Sequence, residues 1–293
     1  MFDLSVVIVN YNTPDLTLDC VKSIEKNTKN LKYELILVDN ALNAKDSIAL
    51  QNNKTTIIHN KKNLGFTGGN NVGMKKAKGR YLLLLNSDTL IHDNVLAEMV
   101  GWLDNNPKIG LATCSLKNKD GSIQATGGFF PTLLRVFSWM TIQDLPFVDR
   151  FIKPFHPKSS FYREVTSSAY PQGRELDWVT GAFLLVRREV INQIGYLDEE
   201  YFMYTEDTDY CYKAKEKKWK IVYSPVWSIT HLGGASSTKE FPILSEYKNV
   251  KLFYKKHYPS WQYGILRTLL KLGSLWRMVL ISPKTYAKAF REA

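Results

Sequence analysis

The sequence predicts an α/β protein built on an open, mostly parallel sheet, with a basic helical segment at its C-terminal end. Three observations predict it. Short apolar, β-branched runs alternate with helical stretches through the first 115 residues, the pattern of a parallel sheet with crossover helices. Those runs end in polar residues, Asn10-Tyr11-Asn12, Asp39-Asn40 and Asn86-Ser87-Asp88. The residues after Lys239 are rich in Lys and Arg and carry long apolar stretches without strand-like alternation.

The elements follow in order. Leu4–Asn10 reads as a strand, and Pro14 opens a helix that runs to about Asn27, since proline is preorganised for the first helical turn. Leu35–Asp39 is a second strand, with a short helix near Asp46–Gln51, and Thr55–His59 is a third. A glycine-rich loop then leads to a helix at Asn70–Lys78. Tyr81–Asn86 is apolar throughout, which predicts a strand covered on both faces. A helix at Asn94–Asn105 and a strand at Ile109–Cys114 complete this half. From Gly127 to Leu176 the pattern loosens into Phe, Trp, Tyr, Pro and basic residues without steady periodicity, read as an insertion over the site that faces a lipid or a partner. Trp178–Val186 is again a strand, Thr208–Lys217 a helix and Lys220–Ile229 a strand; the remainder is helical. The chain thus divides into an α/β unit, 1–238, with a regular half, 1–115, and a looser half, 116–238, followed by a basic helical extension, 239–293.

Composition narrows the class. At 44% hydrophobic and 23% charged residues the chain is globular, neither disordered nor a membrane bundle. Cys20, Cys114 and Cys211 lie far apart, a spacing that suits neither a disulfide framework nor a zinc site and fits a reducing cytoplasm. The start MFDLSVVIVN lacks the basic n-region of a signal peptide, and no run of eighteen uncharged apolar residues occurs. From Lys239 onward there are eleven Lys and Arg against three Glu, so +8 of the total +11 sits in this segment. Such a stretch suits anionic lipid, a phosphorylated substrate or nucleic acid, and charge alone does not choose. No recognised nucleic-acid-binding module accompanies it.

Four features carry chemistry. Tyr201–Cys211, YFMYTEDTDYC, holds Glu206, Asp207 and Asp209 at a helix start. A carboxylate there can accept a proton from an attacking hydroxyl; alternatively the acids complement the helix dipole, with Lys213, Lys215, Lys217 and Lys218 at the other end. Asp88 closes a buried strand, where it can hold Mg²⁺ or Mn²⁺ against a diphosphate or simply cap a turn. His231, before two glycines, is a metal ligand or a structural histidine. The segment NLGFTGGNNVG, Asn63–Gly73, permits close backbone approach to a phosphate or sugar, or is a flexible connection; it is neither a dinucleotide fingerprint nor a P-loop. In the tail, Arg267, Lys271, Ser274 and Arg277 share one side of a helix. That stripe suits lipid headgroups, with packing on the catalytic domain or on a second subunit of a homodimer as the alternative.

Taken together, the motifs resemble glycosyltransferase family 2, especially its rhamnosyltransferase-like branch. The carriers are VVIVNYN (Val6–Asn12), LVDN (Leu37–Asn40), NLGFTGGNNVG, AKGRYLLLLNSDT (Ala77–Thr89), TGAFLLVRREV (Thr180–Val190), the long run Ile194–Ile221 and THLGG (Thr230–Gly234), in family order over about four fifths of the chain. The resemblance implies a GT-A fold, Rossmann-like, and inverting transfer of one sugar from a nucleotide diphosphate to an acceptor hydroxyl. It implies that Val9, Tyr11 and Asp39 line the nucleobase pocket, that Gly65 and Asn71 lie near the donor phosphates or ribose, and that Ser87 and Asp88 belong to the donor and metal element. Asp207 matches the base, Glu206 a positioning carboxylate, and His231 a further metal ligand. Trp178, Thr180 and Gly181 would shape the sugar and acceptor pocket. The family's D-x-D element reads Asn86-Ser87-Asp88 here, one carboxylate short. The implied cofactor is a divalent Mg or Mn ion. The implied donor is dTDP- or UDP-linked, dTDP-L-rhamnose first. The acceptor is a polyprenyl-diphosphate-linked glycan for a cell-surface polysaccharide, reached peripherally at the cytoplasmic face of the membrane. The rivals are a non-catalytic nucleotide-sugar-binding module and a basic nucleic-acid-binding protein.

Overall fold

A computed structural model describes residues 1–43, 55–143, 145, 147–165, 169–170, 173–233 and 240–293. The first half runs β1 (Leu4–Asn10), α1 (Pro14–Asn27), β2 (Tyr33–Asp39), β3 (Thr55–His59), α2 (Gly65–Lys76), β4 (Tyr81–Asn86), β5 (Thr89–Leu90), α3 (Val95–Asp104) and β6 (Ile109–Lys117). Next come β7 (Gly127–Gly128), α4 (Leu133–Met140), α5 (Val148–Phe151), α6 (Ser159–Glu164), β8 (Arg174–Glu175), β9 (Trp178–Val179) and β10 (Phe183–Arg187). The chain closes with α7 (Arg188–Ile194), α8 (Glu206–Glu216), β11 (Lys220–His231), α9 (Phe241–His257), α10 (Ser260–Leu280) and α11 (Pro283–Glu292). The helix expected near Asp46–Gln51 lies outside the described residues.

Among the described residues nine strands make one sheet in the order β3-β2-β1-β4-β10-β6-β11-β5, with β8 on β11. β3, β2, β1 and β4 are mutually parallel, as their sequences predict. Alternate residues feed two cores: Val6, Ile8, Leu35, Leu37, Leu83 and Leu85 pack toward α1 and α3, whereas Val7, Ile36, Val38, Leu82 and Leu84 pack toward α2 and the C-terminal helices. β4 is buried on both faces, which explains its unbroken leucines.

Three departures from the sequence reading position the site. The expected strand Trp178–Val186 is two strands, β9 and β10, broken at Thr180–Ala182. β10 runs antiparallel to β4, pairing Phe183 with Leu85, so its first residues arrive beside the carboxyl end of β4. The glycine-rich segment is not a flexible connection: α2 begins at Gly65, five residues before the expected start. Its glycines let the helix press on the sheet, since a Cβ at Gly73 would sit 2.3 Å from Val7 Cγ1 and one at Gly69 2.9 Å from Val9 Cγ1. The insertion at 127–176, finally, is not a loose cover. Val136, Met140, Phe155, Tyr162 and Val165 are buried in one cluster with Tyr247, Val250, Phe253, Leu266, Leu270 and Tyr286 of the basic extension.

That shared cluster also reverses the reading of the tail stripe. Ser274 is buried, Arg267 Nε donates to the Ala293 carbonyl at 3.0 Å, and Arg277 stacks 5.4 Å from the Trp139 ring and bonds the Trp139 carbonyl. Lys271 lies 5.6 Å over the Phe290 ring. The stripe is therefore turned to protein, not to headgroups. Among the described residues no helix is long and apolar enough to cross a membrane.

Candidate active site

After β1 the chain moves to β2 and β3 on one side of the sheet and returns to β4 on the other, so a crevice opens past the carboxyl ends of β1 and β4. It holds a cavity of about 690 Å³ lined by Val9, Tyr11, Gly65, Ser87, Asp88 and His231, with Phe202, Tyr204 and Phe241 on the opposite wall. A second cavity of about 180 Å³ is lined by Trp178, Thr180, Gly181, Glu206 and Asp207, together with His156 and Glu246. The two share Phe66, Asn86, Thr180, Ala182, Met203 and Tyr204, which makes them neighbouring compartments of one site.

Glu206 and Asp207 open α8 and sit in different surroundings. Asp207 is partly exposed; its Oδ2 accepts the Gly181 N–H at 3.0 Å and its Oδ1 the Thr208 N–H at 2.7 Å. Glu206 is buried, and its Oε2 has no hydrogen-bond partner among the described residues. Burial pushes both carboxyls above their ordinary values, Glu206 well above because the neighbouring Asp207 charge adds to the loss of water. For Asp207 the two backbone N–H groups, with His156 nearby, pull in the other direction. Environments that push paired carboxyls apart leave one as acid and the other as base. Of the two, Asp207 is the group that ionises first.

The loop before α8 is strained and clamped. Tyr204 and Thr205 have φ of 71° and 70°, uncommon for residues with a Cβ. Asn249 on α9 donates its Nδ2 to the carbonyls of Met203 (2.9 Å) and Tyr204 (2.7 Å). From the other side Phe66 N–H, at the start of α2, donates to the Phe202 carbonyl at 3.0 Å. Gly65 itself (φ 71°) touches this loop, and a Cβ there would lie 2.4 Å from the Phe202 oxygen.

At the other end of the site, His231 Nε2 faces Asp88 Oδ1 at 3.4 Å and the Asn86 amide at 3.2 Å. Gln124 orients the ring. Its Nε2 donates to the Asn118 Oδ1 (2.6 Å) and the His231 carbonyl (2.7 Å), so its Oε1, 2.7 Å from His231 Nδ1, must accept. Nδ1 then carries the hydrogen, which in the neutral ring leaves the lone pair on Nε2, beside a carboxylate oxygen. Such a buttressed imidazole is the usual form of a metal-ligating histidine. Half a turn of the Asn86 amide would add its carbonyl oxygen to this oxygen–nitrogen set, which fits a hard divalent ion sharing ligands with phosphate. Among the described residues no group of three His, Cys, Asp or Glu side chains is gathered for a metal.

Not every expected residue faces a cavity. The Asn71 amide ties Leu197 and Glu199, accepting from the Leu197 N–H at 3.0 Å and donating to the Leu197 carbonyl and Glu199 carboxylate at 2.8 and 2.9 Å. It is buried and lines neither cavity, so its expected place at the donor phosphates gives way to a packing role between α2 and the Leu197 turn. Asp39 is likewise buried outside both linings, accepting from Asn10 Nδ2 (2.8 Å) and the Ala41 N–H (3.1 Å) and meeting His59 Nδ1 at 3.0 Å. Asn40, its neighbour, takes the place in the lining. Asp209 belongs to a buried ion cluster with Lys213 Nζ and His257 Nε2, each at 2.6 Å. The lysines of α8 thus have specific partners as well as a place near the helix end.

Two sequence models match: Glycosyl transferase family 2 over residues 5–145 and Glycosyl transferase family group 2 over residues 81–287. The chain belongs to glycosyltransferase family 2. Over 172 residues it is 30% identical to an N-acetylglucosaminyl-diphospho-decaprenol L-rhamnosyltransferase of Mycobacterium tuberculosis, covering 58% of this chain and 52% of that protein. The chain therefore spans about half the length of that relative. Rhamnosyltransferase WbbL of Escherichia coli is 22% identical over 241 residues, 77% of this chain and 82% of WbbL. With these relatives, the family-2 assignment is to its rhamnosyltransferase-like side. Among solved structures, a mannosyltransferase of Pyrobaculum calidifontis in complex with GDP-Man and Mn²⁺ superposes with a TM-score of 0.57 at 13% identity, covering 99% of this chain and 74% of that one. GalNAc-T7 with UDP, GalNAc and Mn²⁺ gives 0.62 at 17% identity, over 99% of this chain and 55% of the other. The family-2 chain thus has the GT-A fold its sequence predicts.

Sequence reasoning missed Gln124, His156, Glu246 and Asn249. None sits in a motif: two lie in or beside the unpatterned insertion and two on α9. The one available signal was polarity at otherwise apolar helix positions, Asn249 between Tyr247 and Val250.

Proposed function

We propose that this family-2 glycosyltransferase moves one sugar, with inversion, from a nucleotide diphosphate in the larger cavity to an acceptor hydroxyl in the smaller one. The observation that carries the reading is the carboxyl pair in the smaller cavity: a partly exposed Asp207, held by the Gly181 and Thr208 N–H groups, beside a buried Glu206. Asp207 takes the proton of the acceptor hydroxyl as that oxygen bonds to the anomeric carbon and the bond to the diphosphate breaks. Glu206, whose Oε2 has no partner among the described residues, donates a hydrogen bond to the acceptor. A single displacement needs no carboxylate nucleophile.

Asp88, His231 and the Asn86 carbonyl would hold Mg²⁺ or Mn²⁺ with the donor's phosphates. When bound, the ion neutralises charge growing on the leaving diphosphate. The donor we put first is dTDP-L-rhamnose, with UDP-linked sugars next; the mycobacterial relative's name supports the rhamnosyl group. The same name supports a polyprenyl-diphosphate-linked acceptor, and on that reading the protein works peripherally at the cytoplasmic membrane face and contributes to a surface polysaccharide.

Asp207→Asn tests the reading. Turnover should fall by about two to four orders of magnitude, the range for loss of a general base, while donor binding, read by thermal stabilisation across a nucleotide-sugar panel, persists. Normal transfer by this variant would move the base elsewhere. A parent protein that binds donor and never hydrolyses or transfers it would be a binding module.

A further inference from the structure

The surface of α10 that the basic stripe leaves free is apolar. Trp261, Ile265, Leu272, Trp276 and Val279 follow at intervals of 4, 7, 4 and 3, one face of a helix, and all are exposed, Val279 at 83%. The inward face is Leu266, Leu270, Gly273 and Ser274. From Trp261 to Val279 the outward stripe is about 27 Å long at 1.5 Å per residue. α4 packs directly alongside, with Met140 against Gly273, and adds exposed Leu134 and Phe137. Scattered exposed apolar residues need no explanation, but a continuous stripe on one helix marks a contact surface.

Charge says what covers it. Residues 247–291 contain ten Lys and Arg and no Asp or Glu. Lys284 and Arg291 on α11 are exposed. A second copy docking here would bring two acid-free basic segments together, which like-charge repulsion opposes. An anionic bilayer satisfies both features, taking the apolar stripe into the boundary of headgroup and acyl chain while the cations stay among the phosphates.

We infer that the outward face of α10, with the exposed residues of α4, is the membrane-docking surface and takes an anionic lipid bilayer. This rests on the membrane-surface reading above and names the face that reading needs. It also replaces the stripe Arg267, Lys271 and Arg277 as the contact, since those side chains serve the fold. The acceptor cavity is close by in the chain's packing: Glu246, in its lining, is on α9, which packs on α10. A lipid-borne acceptor would then rise to the site from the bound face.

The test uses the full chain and vesicles of phosphatidylcholine alone or mixed equally with phosphatidylglycerol. The parent should pellet with the mixed vesicles more than with the neutral ones, and brominated acyl chains should quench its tryptophan fluorescence. Leu272→Gln/Trp276→Gln/Val279→Gln should partition about tenfold or more weakly, with its unfolding midpoint unchanged because all three side chains are exposed. If the triple variant does not fold, Val279→Gln alone, with quenching of the parent by shallow and deep bromines, decides the same point. A parent that pellets and a variant that pellets equally would overturn this face yet leave the membrane reading standing. A parent indifferent to both vesicles would sink both. A parent that is dimeric in solution and a variant that is monomeric would assign the stripe to self-association and overturn the inference.

Discussion

Asn249 links the C-terminal helices to the chemistry, and removing it should cost both stability and turnover. Its Nδ2 is the donor to two carbonyls, Met203 and Tyr204, and the side chain is 4% exposed. A net hydrogen bond contributes about 1 kcal/mol, and a buried acceptor left unmade costs about 1–3 kcal/mol. The two left-handed residues that follow hold about 1–3 kcal/mol of strain each, of the same order as the clamp that restrains them. Asn249→Ala should therefore lower stability by about 2–3 kcal/mol, or about 4–12 °C in Tm at about 2–4 °C per kcal/mol for a chain of this size. The loop should relax first, so transfer falls further than donor affinity does. Thermal and urea unfolding, read beside donor hydrolysis, measure both effects. Asn249→Asp separates hydrogen bonding from packing: it keeps the volume but sets a carboxylate against two carbonyls, so it should be worse than alanine. A change within about 0.5 kcal/mol for alanine, the range of an inert surface substitution, or a milder aspartate, would refute the clamp.

Three further outcomes are expected. Gly73→Ala should destabilise despite a helix-propensity gain of about 1 kcal/mol, because the new Cβ would lie 2.3 Å from Val7 Cγ1; denaturant midpoints check it, and Val7→Ala should relieve the clash in a double-mutant cycle. Gln124→Leu removes the acceptor that fixes His231 and should weaken Mn²⁺ binding with a nucleoside diphosphate about 10–100-fold, read by electron paramagnetic resonance, whereas unchanged affinity would make the histidine structural. Glu206→Gln should show a pH-dependent stability difference. Because burial raises the folded pKa of Glu206, the parent's stability contribution is complete below the ordinary glutamate range and is lost as pH rises through the folded value. The amide has no proton to lose, so the variant should gain on the parent as pH increases from about 4.5 upward, and parallel pH profiles would count against a protonated Glu206.

The fold was legible where one short segment settles its own environment. β1 and β4 stand at their expected limits because an apolar run has one low-energy place, between two helical layers, and β3 does so as a half-exposed edge strand in register with β2. α2 was hidden since four glycines in twelve residues oppose a helix locally, and only the closeness of Val7 and Val9 makes them useful. The direction of β10 was hidden for another reason. FLLVR reads alike in either sense, and the antiparallel sense follows from where Thr180–Ala182 must turn. In α10, apolar residues cover more than half the circumference, so periodicity could not say which arc is inward. Gly273, which lets Met140 within contact distance, decides it.

The two compartments of the site were written into the chain differently. Residues of the larger compartment stand where a buried strand ends, and a polar residue at that point is conspicuous: Tyr11 after β1, Ser87 and Asp88 after β4, His231 closing β11. Those of the smaller compartment have no such frame. His156 comes from the insertion and Glu246 from α9, about ninety residues apart in the sequence, and their side chains meet at the cavity wall. They meet because Phe155 packs with Trp139 and Trp178, and Trp139 with Tyr247, so one aromatic cluster carries both polar groups to the wall. Glu246 stands outside the rings of that cluster and can be exchanged while they keep their contacts, whereas His156 is itself one of the rings, against Phe155 and Trp178. At the strand ends each side chain is aimed by the register of the sheet. On the proposed reading acceptor choice is therefore the more easily altered property of this scaffold, and substitution of Glu246 should change which hydroxyl is used before it changes which donor is bound.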